Sequence, residues 1–271
     1  MTIDCISAAP RARAVLGSLA LCGALLLGVP AHGDVGAAVT IASGLANPRG
    51  LVFAPNGDLY VAESGSGGSG NCTFSPPNPT VDRCYGETGA VSRIRPEGGF
   101  DRIVTGLPSL AQPSGLAEGG PVDISFLGMA GIVTMSWGGD PALRAALGPK
   151  SWMFGTLLQV TPSGAWKVVA DVAAHEAAVN PAGGNVDSNP YNTLAQPGRR
   201  LVADAGANAI IEVRPNGRTA TFALLPFLPP VPPIPAPREP VPTSIVEGPD
   251  GALYVSQDSN PGAIVRIDVA S

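Results

Sequence analysis

Seven residues of this 271-residue chain combine a reactive side chain with a telling position: Arg49, Glu63, Asp123, Asp187, Asn189, Asp204 and Asn208. Each stands at or near an end of a short strand-like run. Asp123 begins one, Asp187 and Asn189 precede another, Glu63 and Asp204 end two more, and Asn208 follows just beyond. Carboxylate and amide oxygens that converge from several strands form the ligand type preferred by Ca²⁺ and other hard divalent cations. The competing reading is structural: such side chains cap turns and bond to backbone groups between strands. Arg49 opens the first of these runs, where it could bind an anionic ligand group or pair with one of the carboxylates. No catalytic residue and no cofactor is specified beyond this candidate set.

Elimination narrows the chemistry further. His175 is the one histidine outside the N-terminal leader, and Lys150 and Lys167 are the only lysines. His175 sits in an Ala-rich, helix-like insert away from any nucleophile motif, so it reads as a surface residue and not as the base of a Ser-His-Asp triad. Schiff-base chemistry has few candidates, and a haem or His-rich zinc site has none. Gly65–Gly70 matches the glycine spacing of a dinucleotide fingerprint, but Cys72 and prolines follow it where a helix N-terminus should be. A flexible loop is expected there.

These residues are carried on a repeated phrase. Gly57-Asp58-Leu59-Tyr60-Val61 returns as Gly251-Ala252-Leu253-Tyr254-Val255, as Arg200-Leu201-Val202-Ala203-Asp204, and more loosely as Gly131-Ile132-Val133-Thr134-Met135. Short apolar strands flank each copy, and turns such as Pro55-Asn56-Gly57 separate them. The pattern predicts an all-β chain, a β-propeller with four recognisable four-stranded blades at about 47–107, 121–175, 187–225 and 241–271. The last blade shows three strands, and an orphan run, Ala38 to Ser43 within residues 38–45, would supply the fourth and close the ring. Short helices are expected at Asp140 to Leu147 and Asp171 to Val179. The Pro-rich loop 225–242 reads as a stiff, extended surface connector.

Bulk properties place this domain. Arg11 and Arg13 precede an uncharged apolar run that ends in Ala31-His32-Gly33, so residues 1–33 read as a signal peptide and the domain as 34–271, secreted or extracytoplasmic. The apolar run is too short for a membrane span. A formal charge of −5 without a basic cluster argues against nucleic acid and anionic membranes as partners. Cys72 and Cys84 are the cysteines outside the leader, and in an exported chain their simplest pairing is a disulfide.

The runs Asn47-Pro48-Arg49-Gly50-Leu51, Cys84-Tyr85-Gly86, Val104 to Leu110, Asp187-Ser188-Asn189-Pro190-Tyr191, Val202 to Gly206 and Val241-Pro242-Thr243-Ser244 resemble the ScyD/ScyE family. These are exported bacterial proteins of the NHL-like propeller type, named for the scytonemin gene cluster. The resemblance implies a propeller of about six repeats, so this chain looks shortened by about two. It also implies a histidine in a Gly-Pro-His-Asp run, where this chain has Gly120-Pro121-Val122-Asp123. Related lactonase propellers hold a divalent cation with Glu, Asn and Asp at such places. Three functions follow as expectations: a module binding a small molecule or partner protein, with a link to secondary metabolism; a cation-dependent hydrolase, lactonase or lyase; or an inactive paralogue. An incomplete propeller would leave edges open to oligomerisation.

Overall fold

The computed structural model describes residues 36–75 and 78–269. Residues 40–271 form one compact unit, separate from residues 1–39, and the account below concerns that unit. The expected signal peptide lies outside the described residues.

The chain is mostly β. Its strands are β1 (Pro48–Phe53), β2 (Leu59–Glu63), β3 (Cys72–Ser75), β4 (Asn78–Ile94), β5 (Phe100–Ala111), β6 (Ala117–Leu127), β7 (Ala130–Ser136), β8 (Thr156–Val160), β9 (Trp166–Asp171), β10 (Pro190–Gln196), β11 (Arg199–Asp204), β12 (Ala209–Val213), β13 (Thr219–Leu224), β14 (Pro242–Glu247), β15 (Leu253–Gln257) and β16 (Ala263–Ile267). One α-helix, α1 (Val172–Val179), and 3₁₀ turns at Pro141–Ala146 and Ser151–Met153 fill the insertions. Antiparallel pairing runs β1-β2-β4-β5 in a first group and β6-β7-β8-β9 in a second, joined at β5–β6, then β10-β11-β12-β13 and β14-β15-β16.

A shared register unites the four groups. Each first strand carries a proline, at its start in three groups and inside β6 in the second, that faces the last residues of the second strand: Pro48 opposite Glu63, Pro121 opposite Met135, Pro190 opposite Asp204, Pro242 opposite Gln257. Proline has no N–H to give a ladder, so it is confined to such strand starts and irregularities. In all four groups the register shifts directly after it.

Apolar clusters join each group to the next. Tyr60, Val91 and Val104 of the first pack with Ile124, Val133 and Leu158 of the second, and the Tyr60 and Phe126 rings meet edge-on at 4.9 Å. Ile132 and Leu157 pack with Val202 and Ile211, and Leu201 and Ile210 with Ile245, Leu253 and Val255. Burial of such side chains is the main stabilising term, about 1.5–3 kcal/mol each.

Several expectations need correction. Residues 36–45 form no strand, and the last group keeps three strands with β16 at its edge, so the N-terminal run does not close it. The cause is a stronger local anchor. Ala42 packs on Leu59, Val61, Ile94 and Phe100, Arg102 Nη2 donates to Gly44 O at 2.7 Å, and Ala46 N–H donates to Glu63. The first group thus holds the segment meant for the last. The glycine run after Glu63 is not a loose loop: it packs on β4 so closely that a Cβ on Gly86 would lie 2.0 Å from Gly67 O. The Pro-rich stretch folds back on itself through bridges at Leu228–Arg238 and Val231–Ile234. Cys72 and Cys84, opposite each other on β3 and β4, form the expected disulfide.

Candidate functional site

In three of the four groups, the residue after the first-strand proline and the residue after its second-strand partner point to one place. Arg49, Val122 and Tyr191 from the first set, with Ser64, Ser136 and Ala205 from the second, line a cavity of about 610 Å³. Glu118 near the start of β6 and the loop residues Asp187, Asn189 and Glu239 complete its polar wall. The repeat therefore brings side chains distant in sequence to one end of the first strands.

Of the seven candidates, three reach this cavity. Arg49 Nη2 donates to Ala117 O at 2.6 Å, and among the described residues Arg49 forms no ion pair with a carboxylate. Asp187 accepts from Gly139 N–H at 2.7 Å, and burial raises its pKa against that bond and the charge of Arg83. Asn189 Oδ1 accepts from Ser136 Oγ at 2.7 Å. Among the described residues, the other Arg49 donors, Asn189 Nδ2, Asp187 Oδ2 and the Tyr191 hydroxyl have no protein hydrogen-bond partner.

The remaining candidates serve the scaffold. Glu63 is fully buried, ion-paired with Arg102 at 2.8 Å and hydrogen-bonded by Ser92 and Ala46 N–H. Burial alone would raise its pKa, but these donors, Arg102 foremost, hold it below the ordinary value. Asp123 accepts from Asn192 Nδ2 at 2.8 Å and Thr193 N–H at 2.9 Å, tying the second group to the third, and burial leaves its pKa raised. Asp204 is buried under Ser188 Oγ at 2.7 Å, Asn189 N–H at 2.6 Å and Ala207 N–H at 3.2 Å. Its pKa is pushed up to about 6 by burial, with Asp187 adding to the rise. Asn208, at φ +55°, bonds Val241 N–H through Oδ1. Among the described residues, no three of His, Cys, Asp and Glu come together as a metal site.

Three residues matter that sequence reasoning passed over or misjudged. Arg83, beside Cys84, is buried under the cavity wall and donates to Phe74 O at 3.2 Å, Trp137 O at 2.8 Å and Gly138 O. Burial lowers its pKa to about 10, with Glu118 and Asp187 opposing the fall. Its only sequence signal is its place between the cysteines. Glu176 on α1 is buried, with Oε2 unpartnered, and its pKa rises to about 7 through burial and the nearby Asp204. His175, expected at the surface, is buried with Nε2 2.9 Å from Thr221 Oγ1, because α1 lies against β13. Burial lowers its pKa.

No protein-family model matches the sequence, and no curated protein matches it. Similar solved structures include a catalytically inactive virginiamycin B lyase from Staphylococcus aureus with quinupristin, at 14% identity and TM-score 0.45, covering 86% of this chain and 59% of that one. A streptogramin B lyase shares 12% identity at TM-score 0.39, covering 83% of this chain and 56% of that one. A nidogen/laminin complex chain shares 12% at TM-score 0.34, covering 82% and 76%. The chain spans under two thirds of the length of these two lyases, and likeness at this level carries no argument about activity.

Proposed function

We propose that this chain is an exported binding protein of β-propeller type, related to the ScyD/ScyE family, whose cavity takes a small polar molecule. The supporting observation is the set of uncommitted polar atoms around that cavity: Arg49 donors, Asn189 Nδ2, Asp187 Oδ2 and the Tyr191 hydroxyl. A ligand that fits carries an anionic or carbonyl group for Arg49 and hydroxyl or amine donors for Asp187, with apolar surface against Val122. Arg83 stiffens the wall by donating to the backbone carbonyls of Phe74, Trp137 and Gly138. An extracytoplasmic location accords with the Cys72–Cys84 disulfide and with the leader-like N-terminus.

The test is a thermal-shift screen of sugar acids, amino acids and hydroxy acids, with calorimetry on any hit. A hit should lose at least tenfold in affinity in Arg49→Ala and in Asp187→Asn, with the melting temperature of the free protein nearly unchanged in Arg49→Ala. A screen without a single shift, or hits indifferent to both substitutions, would remove the proposal. Adding Ca²⁺, Mn²⁺ or Zn²⁺ in the same assay addresses the hydrolase or lyase alternative: stabilisation by one of them would replace the binding reading with a cation-dependent one.

A further inference from the structure

The common register makes it possible to compare one position across all four sheet groups. Leu51, Ile124, Thr193 and Ile245 pair with Val61, Val133, Val202 and Val255, the same second-strand position in each group. Ile124, Thr193 and Ile245 are buried, at 3%, 3% and 2% exposure. Leu51 is 63% exposed. Its neighbour Phe53 is exposed as well, whereas Phe126, at the same register, packs against the first group. The first group thus presents outward the face that the other groups bury against the one before.

The last group shows the opposite deficit. Val91, Leu157, Ile210 and Ile264 occupy one third-strand position, facing Ala62, Thr134, Ala203 and Ser256. The first three are fully buried in the clusters that join their group to the next. Ile264 is 69% exposed. Val246 is also exposed, while Val52 and Leu194 at its register pack against neighbouring groups.

Polar groups repeat the pattern. A side chain on one first strand accepts a backbone N–H from the next: Asp123 from Thr193 at 2.9 Å, Asn192 from Ile245 at 2.8 Å. Ser244 stands at the acceptor register on the last group, opposite Ser256, and Leu51 N–H stands at the donor register on the first. Scattered apolar residues on a surface need no explanation, but two faces that match an internal junction position by position do.

We propose that the first sheet group of one copy docks on the last group of a second copy, head to tail, placing Leu51 and Phe53 against Val246 and Ile264 with Ser244 Oγ accepting Leu51 N–H. The second copy is the occupant because each chain carries both halves of the junction it already makes internally. Ala42 covers only the outer part of the first face, over Leu59 and Val61, and leaves Leu51 and Phe53 open. Such a heterologous contact closes into a ring when its rotation permits and otherwise extends.

Sedimentation of the secreted protein over a wide concentration range tests this, with Leu51→Glu and Val246→Glu as variants. Both positions are exposed, so each variant should keep the wild-type melting curve. Wild type should associate with itself, and each variant alone should weaken association at least tenfold. An equimolar mixture of the two should recover a 1:1 dimer and nothing larger, because one intact junction remains between an unlike pair. A wild type that stays monomeric throughout, association untouched by either charge, or a mixture that recovers nothing would each overturn the proposal.

Discussion

Glu63 and Asp204 hold the same place in their sheet groups, opposite the proline that opens the first strand, and both are fully buried. Each also clamps the chain that enters that strand, Glu63 through Ala46 N–H and Asp204 through Asn189 N–H. Their ionisation nonetheless moves in opposite directions. Glu63 has Arg102 as a partner, and its pKa falls. Asp204 has Ser188 and two backbone N–H groups but, among the described residues, no cationic side chain, and its pKa climbs to about 6. The repeat sets where a carboxylate sits; a single neighbour, Arg102 on β5 two strands over, decides whether it is a stable anion.

The sharpest way to break this contrast is Arg102→Met, which turns the first site into an unpaired buried carboxylate. Removing one partner of a buried pair costs about 3–5 kcal/mol; because Arg102 is partly exposed, the expected loss lies near the lower end. Urea denaturation at neutral pH measures it. Adding Glu63→Gln to the variant should restore part of the loss, and a second loss on top of the first would show that the pair is not what holds Glu63 charged.

The pH profile carries the next largest effect. A carboxyl with native pKa near 6 and an unfolded value of 3.8 binds its proton more tightly when folded. Stability from this group is therefore fully present below the unfolded value and lost as pH rises through about 6, on the order of 3 kcal/mol in all. Asp204→Asn should gain stability relative to wild type by that amount between pH 4 and pH 7. The amide can still accept the two N–H groups and can donate to Ser188 Oγ. Glu63 works the other way: its folded pKa is depressed, so its stability is present above the ordinary carboxylate value and lost as pH falls through the folded one. Equal slopes for Asp204→Asn and wild type across this window would refute the assignment.

How far the sequence reaches is visible in these same residues. The repeated apolar runs Leu59-Tyr60-Val61 and Leu201-Val202-Ala203 are a local signal of short strands buried on both faces, and β2 and β11 fall on them. The position of Glu63 and Asp204 at strand ends was equally legible. Their direction was not: both looked like ligands around a central opening, whereas the residue after each, Ser64 and Ala205, lines it. A one-residue offset turns a side chain to the other face of a strand. Arg83 and Glu176 stayed hidden for a related reason, since a charge is buried by partners from remote segments. The Ala38 to Ser43 run had a strand's composition, but which sheet would hold it depended on Arg102 and Glu63, neither of which belongs to the segment.

The last group offers the mildest test of what this position requires. Gln257 stands where Glu63 and Asp204 stand, and the second group has Met135 there, fully buried. Gln257 Nε2 donates to Pro226 O at 3.2 Å, while Oε1 is buried without a partner. One long hydrogen bond gained and one acceptor left unmade nearly offset each other, each being worth about 1 kcal/mol. Gln257→Met should therefore change stability by less than about 1 kcal/mol, with no dependence on pH. A larger loss in chemical denaturation would mean that the clamp on the incoming chain, and not the burial of its side chain, is what the position demands in every group. A small one would place the requirement in volume, with the carboxylates at Glu63 and Asp204 serving the chain entry of their own groups alone.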